Sequence, residues 1–153
     1  MTRLAVLLAT AGGAGYVPVA PGTAGSAVGV VAYLLTAHWP AVSQVLLVAL
    51  VTIAGTWAAT SAAEHFGRHD PGQVVIDEVA GQWVTLLLTG AGPVGAIAGF
   101  CLFRVLDVTK PWPARRLEGL PAGLGIMADD LMVALYGNIL MQIGVRLLSG
   151  TPG

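Results

Sequence analysis

The sequence predicts an all-α membrane protein, a compact helical bundle of about five to six helices with helical hairpins and with its polar loops gathered on one face. Three observations carry this expectation. Hydrophobic residues make up 56% of the 153-residue chain and charged ones 10%, with a mean hydropathy of +0.79, where an ordinary soluble domain holds roughly 25% charged residues. The 15 firmly charged side chains, seven basic and eight acidic, sit in compact islands between the apolar stretches 4–63, 79–103 and 131–145. The run 41–62 by itself matches the roughly 20 residues that cross a hydrocarbon core. The same figures exclude other classes. A formal net charge of -1 leaves no basic surplus for a nucleic-acid backbone, and so apolar a chain is not intrinsically disordered.

The elements follow in order along one domain, 1–153. Arg3 and the short apolar run Leu4–Ala9 fall below the length of a secretory h-region, so Met1–Ala14 is expected to be the mature N-terminus leading into a first loop. Residues 12–26 hold too many Gly and Pro for a regular element and read as an ordered loop. A helix is expected from about Ser26 through Ala37, with a break at His38-Trp39-Pro40, and a second from about Ala41 to Ala63. The stretch 79–103 is interrupted at Gly90-Ala91-Gly92-Pro93, which predicts two short helices. Their arms of about 11–14 residues are shorter than a full span, so this hairpin is re-entrant or the bundle only partly immersed. A last helix is expected from near Asp129 to about Leu148. The 21 glycines suit close helix packing in lipid, and Cys101, the single cysteine, reads as a buried small hydrophobe.

Five of the eight acids fall at three places: Asp77-Glu78, Asp107 and Asp129-Asp130. Each pair adjoins strongly apolar sequence, Val74-Val75-Ile76 before the first and Leu131-Met132-Val133 after the second. Carboxylates in such surroundings are costly unless paired or metal-bound. A cluster of them repels itself, so a cation is the natural compensator. Oxygen ligands without His or Cys at metal-ligand spacing favour a hard ion, Mg²⁺ before Zn²⁺. Helix capping is the competing reading, since Asp77 and Asp129 near helix N-termini would favour the dipole unaided; it accounts for one acid of each pair and leaves Asp107 unexplained.

Arg104, Lys110, Arg115 and Arg116 share one segment with Asp107. Arg104 and Asp107 stand at i,i+3, on one face of a continuing helix, and Pro111 and Pro113 end that helix. Such a cluster can fix a cytoplasmic loop by the positive-inside rule, and it can neutralise a transferring phosphoryl group beside Mg²⁺. Gly22-Thr23-Ala24-Gly25-Ser26 before a helix could offer backbone N–H groups to an anion. It lacks the Gly-Lys-Ser/Thr ending of a nucleotide P-loop, and a plain turn with a Ser N-cap explains it equally well. If 79–103 crossed the bilayer once, Asp77 and Asp107 would lie about 30 Å apart. A shared site therefore requires a hairpin, with the polar islands before the last helix on one face, cytoplasmic by the Arg/Lys cluster.

Four segments carry a family resemblance: Gly-Tyr-Val-Pro-Val-Ala-Pro-Gly-Thr-Ala-Gly-Ser (15–26), His-Asp-Pro-Gly-Gln-Val-Val-Ile-Asp-Glu-Val-Ala-Gly-Gln-Trp-Val-Thr (69–85), Phe-Arg-Val-Leu-Asp-Val-Thr-Lys-Pro-Trp-Pro (103–113) and Gly-Leu-Gly-Ile-Met-Ala-Asp-Asp (123–130). In order and spacing they resemble the successive motifs of the phosphatidylglycerophosphatase A family. The resemblance implies a Mg²⁺-dependent enzyme of the bacterial cytoplasmic membrane that converts phosphatidylglycerophosphate to phosphatidylglycerol and inorganic phosphate on the cytoplasmic face. The chain departs from the family at Glu118, where an Asp is usual, at Ala122 in place of a Gly, and at Val133-Ala134 in place of Ala-Gly. The first departure leaves the role of Glu118 open.

On this resemblance Asp77, Glu78, Asp107, Asp129 and Asp130 are expected to hold one or two Mg²⁺. Lys110, Arg104 and Arg115 are expected on phosphate oxygens, with backbone donors from Gly22, Thr23, Gly25 and Ser26. His69 and Asp70 are candidates for protonating the leaving group, although a loop His beside an Asp is as readily plain surface. The nucleophile is either water activated at the metal or a carboxylate. Two other readings stand beside this one: a non-enzymatic small membrane transporter or assembly subunit whose acids line an ion path, and a phosphatase of another phosphomonoester.

Overall fold

The computed structural model describes residues 2–150, and every regular element among them is helical. Helix α1 (Thr2–Ala9) leads into a 3-10 turn (Ala11–Tyr16), followed by α2 (Pro21–Thr36), α3 (Ala41–Phe66), α4 (Ile76–Leu86), α5 (Pro93–Thr109), the short α6 (Ala114–Leu117) and α7 (Gly123–Ser149). The all-α expectation is met with seven α-helices in place of five or six; α1 and α6 are the additions. α3 and the segment Gly123–Leu148 of α7 are each long and apolar enough to cross a membrane, with mean hydropathy 1.8 and 1.6 over their best windows. Only 28% and 22% of those windows are buried inside the protein, so the apolar side chains mostly face outward, as in Leu46, Leu50 and Ile53 of α3.

The structure corrects four expectations. Residues 2–9 form a helix, with Ala5 and Ala9 turned inward. Residues 12–26 are not one loop, because the 3-10 turn occupies 11–16 and α2 begins at Pro21, a residue whose ring pre-sets the first helical turn. α7 begins at Gly123, six residues before Asp129, which puts the Asp pair inside the helix and removes it from the capping position. Cys101 is exposed on the outer face of α5. The expected breaks at His38–Pro40 and Gly90–Pro93 both occur, between α2 and α3 and between α4 and α5.

α4 is the centre of the bundle and packs against α2, α3, α5 and α7. Nine of its eleven residues are buried. It reaches this position because α2 offers it glycines. A Cβ at Gly25 would stand 2.8 Å from both Val75 Cβ and the Val75 carbonyl oxygen, and one at Gly29 would stand 2.6 Å from the Val79 carbonyl oxygen. The interfacial stripe of small residues thus lets two backbones approach, as helices do where lipid offers no hydrophobic drive to associate.

At about 16 Å for 11 residues, α4 is half the length of a spanning helix, and its last carbonyls end in apolar surroundings. Side chains of neighbouring helices satisfy them. Asn138 Nδ2 donates to the carbonyls of Val84 and Leu87 at 3.0 and 2.8 Å, Gln142 Nε2 donates to Leu88 O at 3.1 Å, and Tyr33 Oη donates to Ala91 O at 2.8 Å. Orphan carbonyls at a helix end must find such partners wherever water is absent. The α4–α5 turn is therefore a built hairpin tip, and it returns the C-terminus of α5 to the end of the bundle where α4 began.

At the opposite end α3 stops at Gly67 (φ 64°), with Arg68 N–H donating to Ala63 O at 3.2 Å, the long bond of a Schellman cap. Gly25→Ala should cost about 1–3 kcal/mol through overpacking against Val75. Gly144→Ala, where an added Cβ meets nothing within 4 Å, should be neutral or stabilise by up to about 1 kcal/mol. Thermal unfolding of the two variants in one detergent checks both outcomes, and equal loss in both would refute the close α2–α4 contact.

Candidate metal centre and phosphate cavity

Two helix ends and the first third of α7 bring the acids together. Asp77 and Glu78 lie in the first turn of α4, whose start is pinned by the Val75 N–H donating to Ala9 O at 2.8 Å. Asp107 lies in the last turn of α5, and Asp129 and Asp130 in the second turn of α7. Ligand atoms of Asp77, Glu78 and Asp130 all fall within 4.8 Å of one another. Asp77, Asp107, Asp129 and Asp130 are each no more than 9% exposed. Asp77 Oδ1, Glu78 Oε2, Asp129 Oδ1 and Asp130 Oδ2 are buried without a hydrogen-bond partner among the described residues.

Buried orphan carboxylate oxygens are rare and costly. Three of the four belong to Asp77, Glu78 and Asp130, whose ligand atoms face one another, and they fit an all-oxygen site for a hard divalent cation that would satisfy them together. The residues therefore suit a metal of the Mg²⁺ type. Burial pushes the Asp77 carboxyl well above the ordinary range, and the neighbouring Glu78 and Asp130 push it further. Burial raises Glu78 too, with Asp107 adding to it, against a lowering contribution from Arg104.

The cations present are already engaged. Arg104 Nη1 meets Asp107 Oδ2 at 2.7 Å, the i,i+3 pair expected from spacing, and donates to Ser26 Oγ at 3.4 Å. Lys110 ends α5 in a left-handed conformation (φ 41°). Its ammonium pairs with Asp129 and, at 2.8 Å, with Glu118 Oε1. Burial works to lower the Lys110 ammonium, but its bonds to Asp129 and Glu118 outweigh that and raise it above the ordinary lysine range. The five acids thus divide: Asp77, Glu78 and Asp130 face one another, Asp107 is held by Arg104, and Asp129 by Lys110.

A cavity of about 310 Å³ opens beside the triad, lined by His69, Asp70, Asp77, Lys110, Glu118 and Asp129 with Gly125 and Ile126. Asp77 belongs both to the triad and to the cavity wall, so a group in the cavity can reach the cation position and the Lys110 ammonium at once. A phosphomonoester is such a group.

Similarity to known proteins bears directly on this arrangement. The family model described as phosphatidylglycerophosphatase A matches residues 7–145. The chain belongs to the phosphatidylglycerophosphatase A family. It is 36% identical over 141 residues to phosphatidylglycerophosphatase A of Escherichia coli, covering 90% of this chain and 82% of that one, and 34% identical over 138 residues to that of Haemophilus influenzae, covering 88% and 85%. It is also 37% identical over 148 residues, 92% of each chain, to a Bacteroides thetaiotaomicron protein provisionally named a phosphatidylinositol-3-phosphatase. No solved structure matches. Membership makes the chain a phosphoric monoester hydrolase, and the triad and cavity are the features of this phosphatidylglycerophosphatase A fold that can carry such chemistry.

Against the expected site residues the structure is selective. His69 and Asp70 reach the cavity from the loop after α3, both exposed. Gly22, Thr23, Gly25 and Ser26 are not a free loop but the first turns of α2. The Thr23 amide already donates to Ala20 O at 2.9 Å, and Ser26 Oγ donates back to Gly22 O at 2.9 Å. Gly22 has a packing reason instead, because a Cβ there would run into the Glu78 carboxylate and stand 3.2 Å from Arg104 Nη1. Arg115 is exposed on α6 and makes no described contact with the acids.

Two residues were not assigned from sequence. Glu118 lines the cavity and pairs with Lys110. Gln82 is fully buried with both amide atoms unpartnered among the described residues. Its signal was its spacing, one helical turn beyond Glu78.

Metal-free protein should lose stability as pH rises from about 4, the ordinary carboxylate range. The raised Asp77 and Glu78 make the folded state bind more protons than the unfolded state there, so the slope of stability with pH is negative. Asp77→Asn should flatten the slope, and Mg²⁺ should raise the midpoint of the wild type but not of the variant. Melting curves from pH 4 to 8 with EDTA or Mg²⁺ check this; a wild type indifferent to divalent metal at every pH would refute the metal centre.

Proposed function

We propose that the protein is a Mg²⁺-dependent lipid phosphatase that hydrolyses phosphatidylglycerophosphate to phosphatidylglycerol and inorganic phosphate at the cytoplasmic face of a bacterial membrane. One observation carries the reading: Asp77, a member of the triad whose Oδ1 is buried without a partner among the described residues, lines the same cavity as Lys110. Family membership and the two relatives named phosphatidylglycerophosphatase A support the substrate.

Asp77, Glu78 and Asp130 would hold the cation, with Asp107 and Asp129 beside them. When bound, Mg²⁺ supplies neutralisation of phosphoryl oxygens and lowers the pKa of a coordinated water. Lys110 offers a point charge to a phosphate oxygen. Arg104 acts at one remove, aiming the Asp107 carboxylate through the same Nη1 that donates to Ser26 Oγ. Water adds to phosphorus as the bond to the glycerol oxygen breaks, and that oxygen takes a proton. Asp70 and His69 stand at the cavity rim where such a proton could be delivered. Arg115 is left at the bilayer edge, where a phosphodiester or a lipid head group is a fitting partner. The diacyl tail stays in the leaflet against the outward-facing apolar helices.

Purified protein in mixed micelles should release phosphate from phosphatidylglycerophosphate with Mg²⁺ and not with EDTA. Asp107→Asn and Asp130→Asn should each lower turnover by about 100-fold or more, the scale of a lost transition-state electrostatic contact, without loss of helix content by circular dichroism. Phosphatidylinositol 3-phosphate, lysophosphatidate and glycerol phosphate belong in the same assay, given the name of the Bacteroides relative. Faster hydrolysis of any of them would reassign the substrate, and no release under any divalent metal would favour a non-enzymatic ion path.

A further inference from the structure

Lys110 is the chain's single lysine. Its ammonium has three donors, and two carboxylates already take part of that capacity. The two are unlike. Asp129 is 4% exposed, lies in the second turn of α7 and cannot leave without a larger rearrangement. Glu118 is 48% exposed and stands just after the four-residue α6, in the turn that joins it to α7. Its neighbours Glu118–Ala122 form no regular helix. An ion pair that exposed contributes little, about 0–1 kcal/mol, so the Glu118 carboxylate can swing into water at small cost. Both carboxylates line the cavity that also holds His69, Asp70 and Asp77.

We propose that Glu118 is a displaceable latch over Lys110: its carboxylate occupies, in the ligand-free site, the position that a phosphate group takes on binding. This rests on the phosphatase reading of the cavity and adds to it a residue that sets affinity for the phosphate group. Two consequences follow from charge alone. In the empty site Glu118 helps neutralise Lys110, which keeps the ammonium directed into the cavity. On entry of a phosphate dianion, Glu118 is a competing anion for the same donors, so it weakens binding of substrate and of released inorganic phosphate together. Weakened product binding favours turnover where phosphate release limits the cycle. Glu118 is in this view a positioning residue; it moves no proton and breaks no bond.

The test uses inorganic phosphate as the probe on the full chain in detergent with Mg²⁺, by titration calorimetry, beside steady-state hydrolysis of phosphatidylglycerophosphate. Glu118→Gln and Glu118→Ala should bind phosphate about two- to five-fold more tightly than wild type, the range of an exposed ion pair. Glu118→Asp, which keeps the charge, should stay close to wild type. In hydrolysis, Glu118→Gln should change KM more than kcat, and phosphate should become a stronger product inhibitor by the same factor. A merely structural Glu118 would lower the melting point and kcat without tightening phosphate. Unchanged or weaker phosphate binding in Glu118→Gln, or no phosphate binding by any of the proteins, would overturn the latch. Tighter phosphate binding without hydrolysis of the lipid would sink the assigned substrate and leave the latch standing.

Discussion

Burial of like charges is the constraint on which the rest of this structure depends. Five carboxylates converge at one end of an apolar bundle, and the side chains that answer them directly are Arg104 and Lys110. Four carboxylate oxygens remain buried without a partner among the described residues. In a low-dielectric setting such an excess of negative charge opposes folding, and an unpaired buried charge costs several kcal/mol. The remainder of the bundle must hold the acids in place against their own repulsion, and a bound cation converts that cost into affinity.

The means of holding them are visible in the packing. α4 carries two of the acids on its first turn and is enclosed by α2, α3, α5 and α7. Glycines at 25 and 29 bring α2 into backbone contact with it. Its far end is secured by Asn138, Gln142 and Tyr33, which hydrogen-bond the carbonyls of a hairpin tip. That tip is what turns α5 back, so Asp107 and Lys110 arrive beside residues some 30 positions earlier in the chain. Polar side chains in otherwise apolar helices thus serve two distinct ends: at one end of the bundle they complete the backbone, and at the other they form the acidic cluster. Glu64, the first acid of the first island, belongs to neither, since it lies with Ser61 and His65 beside Thr2 of α1.

The division of labour among the acids has a chemical consequence. Had all five been equivalent, the site would be a diffuse negative well. Arg104 and Lys110 instead take one acid each and leave Asp77, Glu78 and Asp130 as a compact set facing one another. In the proposed reaction metal binding and phosphate binding would be adjacent but separate tasks, joined at Asp77, with the exposed Glu118 a member of the second alone.

Much of this was legible in the sequence, and the limits are physical. The charge-free stretches and their Gly/Pro interruptions determined the all-helical class, the break at His38–Pro40 and the hairpin at Gly90–Pro93, because burying backbone in apolar surroundings leaves few alternatives to helix. The same scarcity of charge marked Asp77, Glu78, Asp107, Asp129 and Asp130, since ionised groups are not retained in such surroundings without a use. The i,i+3 spacing of Arg104 and Asp107 determined their pairing, a contact internal to one helix. Where a helix depended on a distant neighbour, local pattern misled. Gly22–Ser26 reads as a loop by composition and is helix because α4 packs against its glycines; Gly123–Ala128 likewise extends α7, with Gly123 N–H donating to Thr60 Oγ1 at 3.1 Å. Only the tertiary structure decided which acids face one another, that Lys110 answers Asp129 and Glu118, and that Gln82 is sealed in without a partner, because each of these is a distance between elements and no local rule contains it.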